Sequence, residues 1–314
     1  MQRIIFHSTI LLVSALLLIF LAHTISNDFW QYERIYDQFT DYKINNKGSL
    51  KDFMIVHRFE PGFELLYYYL LSFFAANTLF FLIAIPVMTI KYLLFLKYLK
   101  YPLAAWFLYI ILFLPVLDSS QLRTSIVSMI MIYVLLTSTS NYGYIFKAIA
   151  ALMFHYIGLL VILIRFYKHP IFVILIITIA TFFIESILGL LSSSIFQLDY
   201  FIASPSGLTV NYLSTNAAAH LLLSLYCFIA WRGFNDIQKK GAFLIVLGIL
   251  IYYLLGHNPL IAGRILVFSL LGIFPLLFLI RVRFNYTSLL AYISLFYIGL
   301  YKFVLVISEL IDIL

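Results

Sequence analysis

Residues 60–64, Glu-Pro-Gly-Phe-Glu, place two carboxylates where a charged segment meets an apolar, aromatic run. Pro61 suits the first position of a helix, and the positive end of the helix dipole stabilises a carboxylate at Glu60. Glu64 lies one turn further on, so both acids share one helix face. Such a carboxylate could be a general base that takes a proton from a hydroxyl group. Alternatively, Glu60 only stabilises the helix start, and Glu64 only pairs with Arg58.

Two arginines open apolar runs further along the chain, Arg123 in Gln-Leu-Arg-Thr-Ser and Arg264 in Gly-Arg-Ile. The planar guanidinium group matches phosphate oxygens and keeps its charge, so both residues are candidates for holding a diphosphate. An arginine at a lipid interface can instead extend its head group into water without any further function. Two such residues on different helices favour the phosphate interpretation.

His155 lies within an apolar run, where it could act as an acid, a base or a donor to phosphate near neutral pH. Alternatively, it only hydrogen-bonds a backbone carbonyl of a neighbouring helix. Asp28 begins an aromatic segment that includes Tyr32 and Tyr36, and aromatic rings beside an acid suit sugar binding. Tyr and Trp are also common at membrane interfaces for reasons of lipid contact alone.

The composition is that of a membrane protein, because 64% of the 314 residues are hydrophobic and only 11% are charged. A soluble domain carries about a quarter charged residues. Apolar runs of about 18 residues or more predict membrane-spanning helices and exclude the alternating strands of an outer-membrane barrel. The net charge of +7 is scattered over short loops, so we predict no nucleic-acid partner.

No cofactor is expected from the sequence. The histidines show no ligand spacing, and the single cysteine, Cys227, can form neither a metal-binding cluster nor an internal disulfide. A glycine-rich phosphate-binding loop is also lacking. We therefore predict neither a metal ion nor a nucleotide.

The apolar runs are separated by proline, glycine or charged residues and show no repeat at a fixed period. They lie at about 4–25, 63–97, 101–117, 121–139, 144–164, 170–190, 215–231, 241–256, 264–280 and 287–308. This pattern predicts an all-α polytopic membrane protein with about 10–11 transmembrane helices in a single domain, residues 1–314. Two longer loops, about 26–61 and 191–214, are expected outside the membrane.

Lysine and arginine near the helix ends predict the orientation, because they favour the cytoplasmic side. In the first third of the chain this rule places four residues inside: Arg3, Lys91, Lys97 and Lys100. One net crossing is then left for the long apolar run before Lys100. A re-entrant helix over about 63–76, a break at Asn77–Thr78 and a span from Leu79 would satisfy this constraint. A second broken helix is needed near His155.

With these two breaks, several ionisable candidates converge on the outer membrane face. They are Asp28, Glu33, Glu60, Arg123, His155 and Arg264. Ionisable groups at such a depth are costly and usually face a cavity or a partner. The sequence therefore predicts a polar site that opens outward.

Short motifs in a fixed order also carry a family resemblance. They are Asp-x-x-x-Tyr at Asp28–Tyr32 with Tyr36, Glu-x-Gly-aromatic at Glu60–Phe63, Gln-x-Arg at Gln121–Arg123, Phe-His-Tyr around His155, and a late arginine at Arg264. This series, over about residues 25–285, resembles the EpsG-like branch of the Wzy-type polysaccharide polymerases. The chain departs from the family pattern at Thr124, where Gln is frequent, and at Ile157, where Ser is frequent.

The resemblance implies a membrane glycosyltransferase of the C-type class in the bacterial cytoplasmic membrane, with its active site facing outward. Such enzymes polymerise undecaprenyl-diphosphate-linked oligosaccharide repeat units into capsule, O-antigen or exopolysaccharide. A chain-length regulator and a repeat-unit flippase would be its protein partners. In this scheme Glu60 is the base, with Asp28 as the next candidate, and His155 assists the arginines that hold the diphosphate.

The remaining candidates would bind the substrates under the same resemblance. Arg123 and Arg264 would hold the diphosphate of the lipid-linked donor. Sugars of the donor and acceptor would contact four further residues: Tyr32, Tyr36, Glu64 and Gln121.

Two alternative functions stay open at this point. A secondary transporter or flippase for a lipid-linked or anionic solute would also contain buried ionisable groups such as His155 and Glu185 in broken helices. The absence of an internal repeat and the clustering of polar residues at one face argue against it. A ligase that moves finished polymer to another acceptor shares the polymerase chemistry.

Overall fold

The computed structural model describes residues 2–25, 29–30, 32–34, 37, 60–71, 73–119, 121–137, 141–179, 215–256, 258–278, 293–299, 301 and 304. Within these ranges all regular structure is helical, and no strand occurs. Three of the described helices are long and apolar enough to cross a membrane: Gln2–Thr24, Ala76–Tyr98 and Asp236–Leu254. Several further apolar helices are shorter. The predicted all-α polytopic membrane architecture is confirmed.

The chain divides into two compact units. Unit 1 comprises Met1–Tyr133, Ile149–Tyr156 and Gly299–Leu314, and unit 2 comprises Val134–Ala148 and Ile157–Ile298. The single domain expected from the sequence stays a prediction. Most of the first predicted external loop (about 26–61) and all of the second (about 191–214) lie outside the described residues.

The helices of the first half follow the apolar runs closely. They are α1 (Gln2–Ile25), α2 (Pro61–Leu71), α3 (Ala76–Tyr98), α4 (Pro102–Leu112), a π-helix (Leu114–Asp118), α5 (Leu122–Leu136) and α6 (Asn141–Phe154). Pro61 and Pro102 each occupy the first helical position, where the missing N–H costs nothing.

The long apolar run at 63–97 is broken, as the sequence requires. Helix α2 has 11 residues, so it is about 16 Å long and too short to cross a bilayer of about 30 Å, whereas the 23 residues of α3 reach about 34 Å. The break precedes the predicted position, Asn77–Thr78, because α3 already begins at Ala76. Re-entry of α2 into the membrane stays a prediction.

Unit 1 has an aromatic core where α1, α3 and α4 pack together. The ring of Trp106 stacks on Tyr109 at a centroid distance of 5.2 Å and meets Tyr92 edge-on at 5.0 Å. Two polar bonds join α1 to this core. Trp106 Nε1 donates to Ser14 Oγ at 3.1 Å, and His7 Nδ1 lies 2.6 Å from the hydroxyl of Tyr92.

Unit 2 is built on closely packed helices. They are α7 (Leu159–Ile164), α8 (Pro170–Ile179), α9 (Thr215–Ala230), α10 (Asp236–Leu254), α11 (Pro259–Ser269) and α12 (Ile273–Leu277). A Cβ added at Gly241 would lie 2.3 Å from the carbonyl oxygen of Gly272, so only glycine permits this approach. A capping box of Asn235 and Gln238 fixes the start of α10.

The outer surface of these helices is apolar, as lipid contact requires. On α1, Ile4 is 72% exposed and Leu12 is 61% exposed, and on α9 Phe228 is 78% exposed. In water such a surface would be unfavourable, whereas in a bilayer the apolar side chains face hydrocarbon. The polar residues of interest therefore lie on the inside of the units.

Candidate functional site

The start of α2 places Glu60 at the helix N-terminus. The amide of Phe63 donates to the carbonyl of Glu60 at 3.0 Å, which closes the first turn around Pro61. Glu60 is only 6% exposed. A buried carboxylate needs a partner, and the helix dipole supplies only part of the stabilisation.

Arg123 is that partner. It is the second residue of α5, and its Nη1 donates to Oε2 of Glu60 at 2.5 Å. The Arg123 side chain is 18% exposed, compared with 8% for the side chain of Glu60. The two strongest candidates from the sequence thus form one ion pair, and its cationic member is the more accessible.

Aromatic rings surround the guanidinium group of Arg123. Its Cζ lies 5.9 Å from the ring centre of Phe63, within the range of a cation–π contact. Tyr32 packs against Phe63, with its ring centre 5.9 Å from that of Phe63. Tyr32, Phe63 and Tyr67 pack ring against ring at 5.3–5.9 Å and are buried. Tyr32 therefore forms part of the wall beside Arg123.

His155 completes the cluster from a third segment. Helix α6 ends at Phe154, and a 3-10 turn follows at Tyr156–Gly158, so the predicted break near His155 is confirmed. The imidazole is 1% exposed, and its Nε2 lies 3.9 Å from Oε1 of Glu60. This distance is too long for a hydrogen bond but short enough for a strong electrostatic interaction if the ring is protonated.

Gly62 explains how α2 and the end of α6 come so close. A Cβ added at Gly62 would lie 2.8 Å from both the carbonyl oxygen and the Cβ of Met153. Real Cβ atoms do not approach other heavy atoms so closely, so the position requires glycine. This contact brings Glu60, two residues before Gly62, to His155, two residues after Met153.

The structure brings together Glu60, Arg123, His155 and Tyr32. Gln121 lies just before α5, and its carbonyl accepts from Ser125 N and Thr124 Oγ1 at 3.0 and 2.8 Å. Thr124, one departure from the family pattern, is thus used for backbone bonding. The other departure, Ile157, is buried.

The other predicted site residues stay predictions. Arg264 is half-buried on α11 in unit 2, and its role stays a prediction. Asp28 and Tyr36 lie outside the described residues, as does the side chain of Glu64, whose backbone belongs to α2.

A second charge pair was missed by the sequence analysis. Lys91 and Asp118 are both 0% exposed and form an ion pair within unit 1. Lys91 was expected at the cytoplasmic face, which stays a prediction; the structure shows that it is fully buried within α3, which continues to Tyr98. Asp118 is the only acid between Glu64 and Glu185, and this isolation was the available signal.

Among the described residues, no group of three or more His, Cys, Asp or Glu side chains could hold a metal ion. The Glu60 cluster has one carboxylate, one imidazole and one guanidinium group. Such a set can accept a proton and hold an anion, which is the chemistry of transfer from an anionic leaving group.

A sequence model described as the EpsG family matches residues 5–312, which is nearly the whole chain. No curated protein and no solved structure matches the chain.

Proposed function

Because the chain belongs to the EpsG family, a family of polysaccharide-polymerase type, we propose that it is a membrane glycosyltransferase that polymerises lipid-linked oligosaccharide repeat units. The donor is the growing chain on undecaprenyl diphosphate, and the acceptor is a fresh lipid-linked unit. The product is a bacterial surface polysaccharide such as capsule, O-antigen or exopolysaccharide. The single observation that carries the proposal is the partly exposed Glu60–Arg123 ion pair with His155 beside it.

The proposed reaction uses each member of the pair once. A hydroxyl oxygen of the acceptor sugar bonds to the anomeric carbon of the donor, and the bond from that carbon to the diphosphate oxygen breaks. The hydroxyl proton passes to the carboxylate of Glu60. The bonding electron pair leaves on the diphosphate, and Arg123 stabilises the charge that develops there.

In the free protein, Glu60 occupies the position that an anionic ligand of Arg123 would take. Donor diphosphate carries more negative charge than a carboxylate and matches the guanidinium fork equally well. Binding of the donor therefore draws Arg123 away from Glu60 and leaves the carboxylate free to accept a proton. The exposed fraction of Arg123 is the side from which the diphosphate approaches.

His155 acts on Glu60 rather than on the lipid. Its Nε2 is the polar atom 3.9 Å from the carboxylate oxygen that does not contact Arg123. A protonated imidazole there holds the carboxylate in place after Arg123 has moved to the diphosphate. Arg264 supplies a second cation to the diphosphate, and Asp28, Tyr36, Glu64 and Gln121 contact the sugars.

The proposal places the enzyme in the bacterial cytoplasmic membrane with this site facing outward. The undecaprenyl-linked units reach that face through a flippase, and a chain-length regulator acts on the product. No nucleotide or metal ion takes part, because the diphosphate is already a good leaving group.

Reconstitution tests the function directly. Purified protein in liposomes receives undecaprenyl-diphosphate-linked repeat units without nucleotide, and the products are separated by size. A ladder of repeat units is expected, with release of undecaprenyl diphosphate. Movement of the lipid across the bilayer without a new glycosidic bond would identify a transporter, and transfer only to a different acceptor would identify a ligase; either result contradicts the proposal.

A further inference from the structure

The Lys91–Asp118 pair lies directly behind the helix that carries Arg123. Asp118 is the last residue of the π-helix, and α5 begins four residues later at Leu122. Its carboxylate is bonded by Lys91 of α3, by the hydroxyl of Tyr109 of α4 at 2.7 Å, and by Ser125 Oγ of α5 at 2.6 Å. One buried carboxylate thus joins three helices.

Ser125 is the member of this cluster that lies on the same helix as Arg123. It lies two residues after Arg123 on α5, so the two side chains point to nearly opposite faces of the helix. Arg123 faces Glu60 on one side, and Ser125 faces Asp118 on the other. Ser125 Oγ also accepts from Nζ of Lys91 at 3.2 Å.

The first turn of α5 is also bonded to the π-helix that precedes it. The hydroxyl of Thr124 donates to Leu117 O at 3.2 Å, and Leu117 is part of the π-helix that ends at Asp118. Two side chains of this turn, Thr124 and Ser125, are thus bonded to the π-helix. The bonds of Asp118 to Lys91 and Tyr109 connect the π-helix in turn to α3 and α4.

We propose that the Lys91–Asp118–Tyr109–Ser125 cluster positions Arg123 against Glu60. The inference rests on the proposed function for its significance, because a guanidinium group must meet the diphosphate and the carboxylate in turn. The contact between Arg123 and Glu60 can be measured without any substrate. Asp118 and Ser125 are positioning residues, and Ser125 transmits the position to Arg123.

A double-mutant cycle between Glu60 and Arg123 tests this geometry without substrate. The coupling between Glu60→Gln and Arg123→Gln is measured from unfolding equilibria in mixed micelles, first in the wild-type background and then in Ser125→Ala. We expect the coupling factor to fall at least threefold in Ser125→Ala, because the loosened first turn no longer holds Arg123 at bonding distance. An unchanged coupling factor would overturn the inference.

Two further variants make the result specific. Ser14→Ala is the matched control, because Ser14 is a buried serine of α1 whose hydroxyl accepts a hydrogen bond from Trp106 of α4. We expect it to leave the coupling factor unchanged. The double variant Lys91→Met/Asp118→Asn leaves no unpaired charge, and we expect it to lower the coupling as Ser125→Ala does. If Ser14→Ala lowers the coupling equally, or if the double variant leaves it intact, the cluster has no positioning role.

The same variants separate this inference from the proposed function. If Arg123→Ala protein still forms the polymer ladder, the proposed function fails at Arg123, whatever the coupling shows. If the ladder depends on Arg123 but the coupling is unaffected by Ser125→Ala, only the positioning role fails.

Discussion

Among the described residues of unit 1, two pairs of opposite charges differ in their access to solvent and in the number of bonds to the carboxylate. Lys91 and Asp118 are 0% exposed, and hydroxyl donors from Tyr109 and Ser125 complete the bonds of the carboxylate. Arg123 keeps 18% exposure, and the nearest nitrogen of His155 stays 3.9 Å from Glu60. The closed pair is fully buried, so its bonds contribute only to the fold. In the proposed mechanism, by contrast, Arg123 of the accessible pair exchanges Glu60 for an incoming anion.

The difference shows why ion pairing alone does not identify a reaction centre. Removing one partner of a buried pair leaves an uncompensated charge and costs about 3–5 kcal/mol, whereas replacing both partners is often neutral. Removal of Glu60 is expected to cost less, because the Arg123 side chain is 18% exposed and water can solvate its remaining charge. The two pairs should therefore respond in opposite ways when stability and activity are measured together.

The largest effect on stability is expected at the closed pair. Lys91→Met leaves Asp118 charged and buried, so we expect a loss of about 3–5 kcal/mol in the free energy of unfolding. Lys91→Met/Asp118→Asn should recover most of it. Unfolding in mixed micelles measures both. If Glu60→Gln, which leaves the more exposed Arg123 unpaired, costs as much as Lys91→Met, the two pairs do not differ in kind.

The largest effect on activity is expected at the accessible pair. Arg123→Ala removes the cation that stabilises the leaving diphosphate, so we expect polymer formation to fall about 100-fold or more. Arg232→Ala, at an exposed position in unit 2, is the matched control and should polymerise normally. Ladder intensity over time measures the rate. Equal activity in the two variants would remove Arg123 from the site.

An intermediate effect is expected from Gly62→Ala. The added Cβ meets Met153 at 2.8 Å and forces α2 away from the end of α6, which costs about 1–3 kcal/mol and separates Glu60 from His155. Gly233→Ala has open space around the new Cβ and serves as the control. Thermal unfolding and ladder formation should both suffer only in Gly62→Ala. An unaffected Gly62→Ala protein would contradict the close approach.

The smallest effect is expected from His155→Gln. Because the imidazole acts through Glu60 and does not contact it directly, we expect about a tenfold loss of polymerisation, at the low end for a group that assists proton transfer. His169→Gln, at an exposed position, is the control. A loss as large as that of Arg123→Ala would mean that His155, not Glu60, receives the proton.

Residue type and motif order selected three side chains that the structure brings together, and their roles stay predictions. Glu60, Arg123 and His155 were selected because a carboxylate before Pro61, an arginine at a helix start and a histidine in an apolar run are each unusual in a membrane chain. The two helix breaks followed from charge counting. Helix lengths and the position of the first break were less accurate, because local packing decides where α3 begins.

The closed pair could not be found in the same way. Lys91 is followed by Lys97 and Lys100. Counting charges alone does not distinguish a lysine in a loop from a buried lysine. Its partner lies 27 residues away, and Tyr109 and Ser125 belong to two further helices. Only the packing of α3, α4 and α5 brings them together, so the network is a tertiary property.

Glu60→Gln gives the most direct test of the central claim. The change removes the carboxylate that competes for Arg123 but keeps a side chain of the same size. Binding of undecaprenyl diphosphate to purified protein and turnover of lipid-linked repeat units are measured side by side. The account predicts binding that is several-fold tighter together with turnover at least 100-fold slower. Weaker binding together with slower turnover, or turnover at the normal rate, would contradict it.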